Sequence, residues 1–161
     1  MATTVEEVAI DPKELLAHAD ELLKLENQLC FPLYVCAKEV VRRYTPHLDE
    51  IGLTYTQYIT MMALWEHGSL SIGELGTLLY LDSGTLTPLV KKLEEKGLVT
   101  RTRSKEDERR VTVALTAEGK ALKARAAAVP VKMGQCVDIT REEAEVLIGL
   151  LGKVLDNVRN S

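Results

Sequence analysis

At Gly97 the hydrophobic period of the chain changes, and this change restricts the possible folds more than any other feature of the sequence. Upstream, Leu86, Leu89, Val90 and Leu93 recur at the three- and four-residue spacing of one helix face. Downstream, Leu98-Val99-Thr100-Arg101-Thr102-Arg103 and Arg110-Val111-Thr112-Val113-Ala114-Leu115 alternate and carry β-branched side chains, with the charged, turn-prone residues Ser104 to Arg109 between them. The pattern predicts a helix from Thr85 to Lys96, capped by Asp82 or Ser83 and stopped by Gly97, that runs straight into a β-hairpin.

The sequence on both sides of this pair is helical. Ser71, with Glu74 three residues on, has the form of a capping box and opens a short helix. Two short helices joined by a few residues make a helix-turn-helix outline, and the hairpin behind it has the place of a wing. Thr54-Tyr55-Thr56-Gln57 opens an earlier helix that carries Tyr58, Met61, Met62 and Leu64 and closes at His67-Gly68. Asp11 and Pro12 suit a helix start, and Leu15, Leu22, Leu25, Leu29, Leu33 and Val40 keep helical spacing to about His47, as one long helix or two, with a bend expected near Pro32. Beyond the hairpin, Thr116-Ala117-Glu118-Gly119 starts a fifth helix reaching about Gln135, and Thr140-Arg141-Glu142-Glu143 starts a sixth that runs nearly to the end. Residues 1–12 are polar and aperiodic, which predicts a loose arm or a marginal first turn.

Composition narrows the class. With 161 residues, 46% apolar and 27% charged, the chain suits one domain with a proper core and is too hydrophobic for disorder. No stretch approaches the ~20 apolar residues that cross a bilayer, and Glu6 and Glu7 stand where a signal peptide carries positive charge. A cytoplasmic location is therefore expected. Thiols stay reduced there, so Cys30, Cys36 and Cys136 argue against a disulfide scaffold, and none has metal-ligand spacing. No metal and no cofactor are expected.

The net charge of −4 speaks against nucleic acid until it is resolved along the chain. Residues 83–110 hold eight bases against five acids, a local charge of +3 that leaves −7 on the remainder. A helix fits the major groove of B-form DNA, and an arginine at a hairpin tip reaches the adjacent minor groove. Ser83, Thr85 and Thr87 carry short hydroxyls for base edges or phosphates, Lys91 and Lys92 lie further along for the backbone, and Arg109 sits in the turn. Each of these taken alone is as well explained as a cap or a solvated lysine. Helix, turn, helix and a basic hairpin in this order form a set that points to double-stranded DNA.

The segment from Leu25 to Leu115 resembles the MarR family, and within it the organic hydroperoxide regulators of OhrR type. The residues that carry the likeness are Leu25-Glu26-Asn27-Gln28-Leu29-Cys30-Phe31, Thr54-Tyr55-Thr56-Gln57-Tyr58, Leu79-Tyr80-Leu81-Asp82-Ser83-Gly84-Thr85-Leu86-Thr87-Pro88 and Glu106-Asp107-Glu108-Arg109. The resemblance implies a mainly α fold with a small β-hairpin, a winged helix-turn-helix that forms an obligate homodimer through its N- and C-terminal helices. On that reading residues 1–24 are an N-terminal extension and 25–161 a single domain. The domain's DNA-binding lobe spans about 53–116, and its dimerisation helices span about 12–48 and 116–160. The apolar flanks of the outer helices agree with burial across a twofold axis. Asp107 and Arg109 match the family's wing motif, in which the arginine enters the minor groove and the aspartate braces it.

Residue type alone makes Cys30 a small hydrophobe among Leu29, Phe31 and Leu33. The resemblance makes it the redox-sensing thiol that an organic hydroperoxide oxidises, after which the repressor releases its operator. Tyrosines at the places of Tyr44 and Tyr55 reach it from the partner subunit, where their hydroxyls can donate to a thiolate and favour its charged form. Tyr34 also matches a family tyrosine, one turn beyond Cys30. Some members trap the oxidised sulfur with a small thiol and others with a second cysteine near the fifth helix of the partner. Cys136 lies close to that place and is the expected resolving residue. Cys36 is six residues on, about 240° round the helix, and is read as packing. Three rivals remain: a MarR-type repressor responding to a small aromatic ligand, a thiol peroxidase that turns over, and an architectural DNA binder. No Cys-Pro peroxidase motif is present, so no enzymatic activity is expected.

Overall fold

The computed structural model describes residues 12–103 and 111–160. The chain divides into two compact units, Met1–Arg42 and Arg43–Ser161.

In the first unit the helical stretch from Pro12, expected as one long helix or two, is broken into shorter pieces. Helix α1 covers Pro12–Ala17, α2 covers Ala19–Leu22, a single 3-10 turn covers Leu25–Asn27, and α3 begins at Cys30 and runs to Asp49. Side-chain amides end the helix early. Asn27 Nδ2 donates to the Glu21 carbonyl at 2.8 Å and Gln28 Nε2 donates to the Leu22 carbonyl, so carbonyls that would bind the next helical turn are already satisfied. Lys24 is accordingly extended. Pro32, where a bend was expected, occupies the first turn of α3, where a missing N–H removes no helical bond.

In the second unit, α4 (Tyr55–His67) is capped by Thr54 and α5 (Ile72–Leu79) by Ser71, each with the reciprocal bond that completes a capping box. Helix α6 (Ser83–Glu95) takes Asp82 as its cap and ends ahead of Gly97, whose φ of 72° is the left-handed conformation that closes a helix. Strands β2 (Val99–Arg103) and β3 (Val111–Leu115) form the predicted hairpin. A third strand, β1 (Ser69–Ser71), joins them in the order β1-β3-β2, all antiparallel, with Leu70 opposite Val113. Met61, Leu64, Leu75, Leu86, Val90, Leu93, Val99 and Val113 make the core that locks the helix-turn-helix onto this sheet.

The predicted fifth helix is two, α7 (Ala117–Ala126) and α8 (Ala128–Val137). Pro130 has no N–H for the Ala126 carbonyl, and the ladder breaks there. Helix α9 (Arg141–Asn160) starts at Thr140, which exchanges bonds with Glu143 as expected, and it buries none of its side chains. Among the described residues no helix is long and apolar enough to cross a membrane.

Candidate nucleic-acid interface and thiol sites

Helix α6 is two-faced. Leu86, Leu89, Val90 and Leu93 are buried, and Ser83, Thr85, Thr87, Lys91 and Lys92 are exposed together on the other side, as their spacing predicts. The Asp82 carboxylate fixes the start of the helix by accepting from the Thr85 amide at 2.8 Å and the Thr85 hydroxyl at 2.8 Å. The Thr85 hydroxyl first, and its amide second, hold the Asp82 carboxyl below the usual aspartate range. Thr87 donates its hydroxyl to the Ser83 carbonyl at 2.7 Å. Both threonine protons are thus committed within the helix, and their exposed oxygens are left as acceptors.

Lys91 stands 3.8 Å from Glu95, an exposed pair of little energetic consequence. Lys92 lines a cleft of about 310 Å³ with Thr54, Thr56, Gln57 and Thr85, between the start of α4 and the outer face of α6. A cation and hydroxyls at a helix start suit a phosphate of the DNA backbone.

The base of the hairpin is tied to α6 by a contact that charge counting along the sequence misses. Glu94 accepts from Arg101 Nε at 2.7 Å, from its Nη2 at 2.6 Å and from its backbone N–H at 3.1 Å. The Arg101 side chain holds the Glu94 carboxyl below its ordinary value. Glu94 and Arg101 belong to different elements, so spacing carries no signal for the pair. The β2-β3 ladder reaches the Arg103-Val111 pair. Asp107 and Arg109, the residues expected at the wing tip, lie outside the described residues.

Cys30, the first residue of α3, is exposed, and so are Cys36 and Cys136 in the last turn of α8. All three are free thiols. Cys36, read as packing from the sequence, is exposed in the single chain. Cys30 and Tyr34 belong to the first unit, and Tyr44, Tyr55 and Cys136 to the second. The Tyr34 ring carries the Lys38 ammonium 6.0 Å from its centroid.

Tyr44 and Tyr55, expected to act together, meet edge to face with centroids 5.1 Å apart. Tyr58 extends the cluster at 6.0 Å from Tyr44, and Trp65 follows at 6.4 Å from Tyr58. The last two were not singled out from the sequence as site residues. Their signal is the spacing of Tyr55, Tyr58, Met62 and Trp65, which places them along one face of α4. Burial, with the Tyr55 charge second, lifts the Tyr44 phenol above its ordinary value, and burial lifts that of Tyr58. Both are protonated hydrogen-bond donors at neutral pH.

Comparison with known proteins agrees with this geometry. Residues 42–126 match the family described as transcriptional regulator SarA/Rot. The organic hydroperoxide resistance transcriptional regulator of Bacillus subtilis is 46% identical over 125 residues, covering 78% of this chain and 83% of that protein. Among solved structures, reduced AbfR of Staphylococcus epidermidis bound to DNA is 30% identical with a TM-score of 0.73, covering 87% of this chain and 98% of that one. Its disulfide-formed state, at the same identity, scores 0.62 over 91% of this chain and 99% of that one.

Proposed function

The chain belongs to the MarR family of winged-helix regulators, in its organic hydroperoxide-sensing branch, and on that premise we propose that it is a cytoplasmic repressor that binds operator DNA as a homodimer and releases it when Cys30 is oxidised. The observation that carries this reading is an exposed Cys30 at the head of α3 in a chain whose helix-turn-helix offers an outward row of acceptor hydroxyls and lysines. In the dimer α6 of each subunit enters a major groove, and the two half-sites lie about one helical turn apart. Thr54, Thr56 and Lys92 hold the adjoining phosphate, and Asp107 and Arg109 serve the wing in the minor groove.

The chemistry balances without a cofactor. The Cys30 thiolate attacks the terminal oxygen of the hydroperoxide, the O–O bond breaks, sulfur is oxidised to the sulfenic acid, and the alkoxide leaves and takes up a proton as the alcohol. The partner's Cys136 then attacks the sulfenic sulfur and expels water as the disulfide forms. The hydroxyls of Tyr44 and Tyr55, steadied by the packing of their rings, supply donors to the thiolate of the opposite subunit, with Tyr34 beside it. Each subunit reacts about once, so the protein is a sensor and not a peroxidase. The disulfide draws α3 and α8 of opposite subunits together, and the recognition helices lose their half-site spacing.

The test is operator binding by the reduced dimer treated with one equivalent of cumene hydroperoxide per subunit. Wild type should release DNA as a covalently linked dimer, Cys30→Ser should stay bound, and Cys136→Ser should show no linked dimer. A second reading is favoured by an apolar cleft of about 370 Å³ lined by Tyr58, Met62, Trp65 and Pro130 beside Lys123, which suits a small aromatic acid. Release of DNA by Cys30→Ser at the wild-type peroxide dose would support that reading and sink the thiol switch.

A further inference from the structure

Tyr80, the residue that ends α5 and begins the turn of the helix-turn-helix, has φ 55° and ψ 37°, the left-handed conformation. Glycine or asparagine occupies such a position at little cost, whereas a bulky aromatic is strained there. The turn around it is tight: the Leu81 amide donates to the Gly76 carbonyl at 3.1 Å, and a Cβ on Gly76 would stand 2.8 Å from the Leu81 carbonyl oxygen. A strained aromatic in a tight turn calls for something its ring does.

Tyr80 is 60% exposed, and over its ring lies the guanidinium of Arg159, with Cζ 4.6 Å from the centroid. That is close cation-π stacking. Arg159 is in the last turn of α9, the helix that buries no side chain of its own. Leu155, one turn earlier, faces the same cleft of about 780 Å³, whose other walls include Thr77, Leu81 and Ser83. Two residues beyond Tyr80, Asp82 caps α6. The end of α9 is thus fastened to the turn from which the recognition helix starts.

We propose that Tyr80 and Arg159 are positioning residues for operator binding, a clip that is closed in the reduced protein and through which displacement of α9 reaches α6. The inference rests on the function proposed above, in which the disulfide draws α3 and α8 of opposite subunits together; α8 ends four residues before α9 begins, so its displacement carries α9 with it. The three cysteines form no disulfide within the chain. A contact made in only one of two states biases their equilibrium by its own free energy, and in a symmetric dimer it acts twice. Opening the clip therefore weakens the reduced form for DNA and leaves the oxidised form, where it is already open, unchanged.

The experiment measures operator affinity of the full-length dimer before and after one equivalent of cumene hydroperoxide, with Cys30 oxidation followed by mass spectrometry. Arg159→Gln removes the cation. Tyr80→Asn removes the ring but suits the left-handed turn, so it guards against a mere folding defect. Tyr80→Phe keeps the ring. For the first two, Kd of the reduced protein should rise about fivefold while Kd of the oxidised protein stays put, and the double variant should add nothing more. Tyr80→Phe should match wild type. The clip is refuted by a reduced Kd within twofold of wild type, by equal weakening of both redox forms, or by a shallower salt dependence for Arg159→Gln, which would make Arg159 a phosphate contact. If wild type itself holds its operator with Cys30 fully oxidised, the redox-release reading fails and the clip's role in it falls too; failure of the variants alone removes only the clip.

Discussion

Thr87 shows how a single hydroxyl can carry sequence information. Its proton is donated to the Ser83 carbonyl at 2.7 Å, so the oxygen it exposes can only accept. In a major groove the donors that meet such an oxygen are the amino groups of adenine and cytosine. Thr87→Val keeps the shape and deletes the acceptor. Operator affinity should fall by about 1–3 kcal/mol, with discrimination lost at one base pair of each half-site and the salt slope unchanged, because no phosphate contact is removed. Equal loss on every DNA sequence in a competition assay would instead assign Thr87 to the backbone. Thr85 faces the same way, yet it also braces Asp82, so its substitution mixes recognition with helix capping.

Elements meet through contacts of the same kind, and α7 is held against the wing by the absence of a side chain. A Cβ on Gly119 would lie 2.0 Å from the Leu98 carbonyl oxygen, and the Gly119 carbonyl accepts from Trp65 Nε1 at 2.8 Å. The Leu98 carbonyl is backbone and cannot rotate away as a side chain would, so Gly119→Ala must push α7 off the start of β2. Stability should drop by about 1–3 kcal/mol, seen as a lower denaturant midpoint. Gly134→Ala in α8, with open space around the same atom, should be neutral or slightly stabilising. Had both variants the same midpoint, the close approach would not constrain the fold. The contrast also marks what a sequence can reveal. Caps at Thr54, Ser71, Asp82 and Thr140 were legible because donor and acceptor lie within three residues of each other. The apolar face of α6 was legible because its period is local. Strand β1 is too short to alternate, and the break at Lys24 depends on amides of Asn27 and Gln28 folding back on α2. At the site, the exposed row on α6 followed from pattern; the resemblance singled out Tyr44 and Tyr55, but their contact with each other was not legible. The Glu94-Arg101 tie and the Arg159-Tyr80 stack join elements 7 and 79 residues apart, and no periodicity reports them.

For the whole molecule the decisive surface is that of α9. Leu147, Leu151 and Leu155 recur every four residues, with Val146, Leu150 and Val158 beside them, and every one of them is exposed or half-buried in the single chain. A helix with such a stripe in water stays apart only if something covers it, since large exposed apolar patches mark interfaces. A second copy of the chain is the cover that two-sided operator recognition requires, because two recognition helices must be held at a fixed spacing. Leu147→Glu with Leu151→Glu places two carboxylates in that stripe. The core of the winged-helix unit contains no residue of α9, so helicity and the cooperative unfolding of that unit should persist. Sedimentation should report the 17.9 kDa chain in place of twice that mass. Operator affinity should fall by roughly a hundredfold or more, toward the value of one half-site, because the second half-site no longer binds at high effective concentration. A double variant that still sediments as a dimer would place the interface elsewhere, and α9 would then need another partner to explain its apolar face.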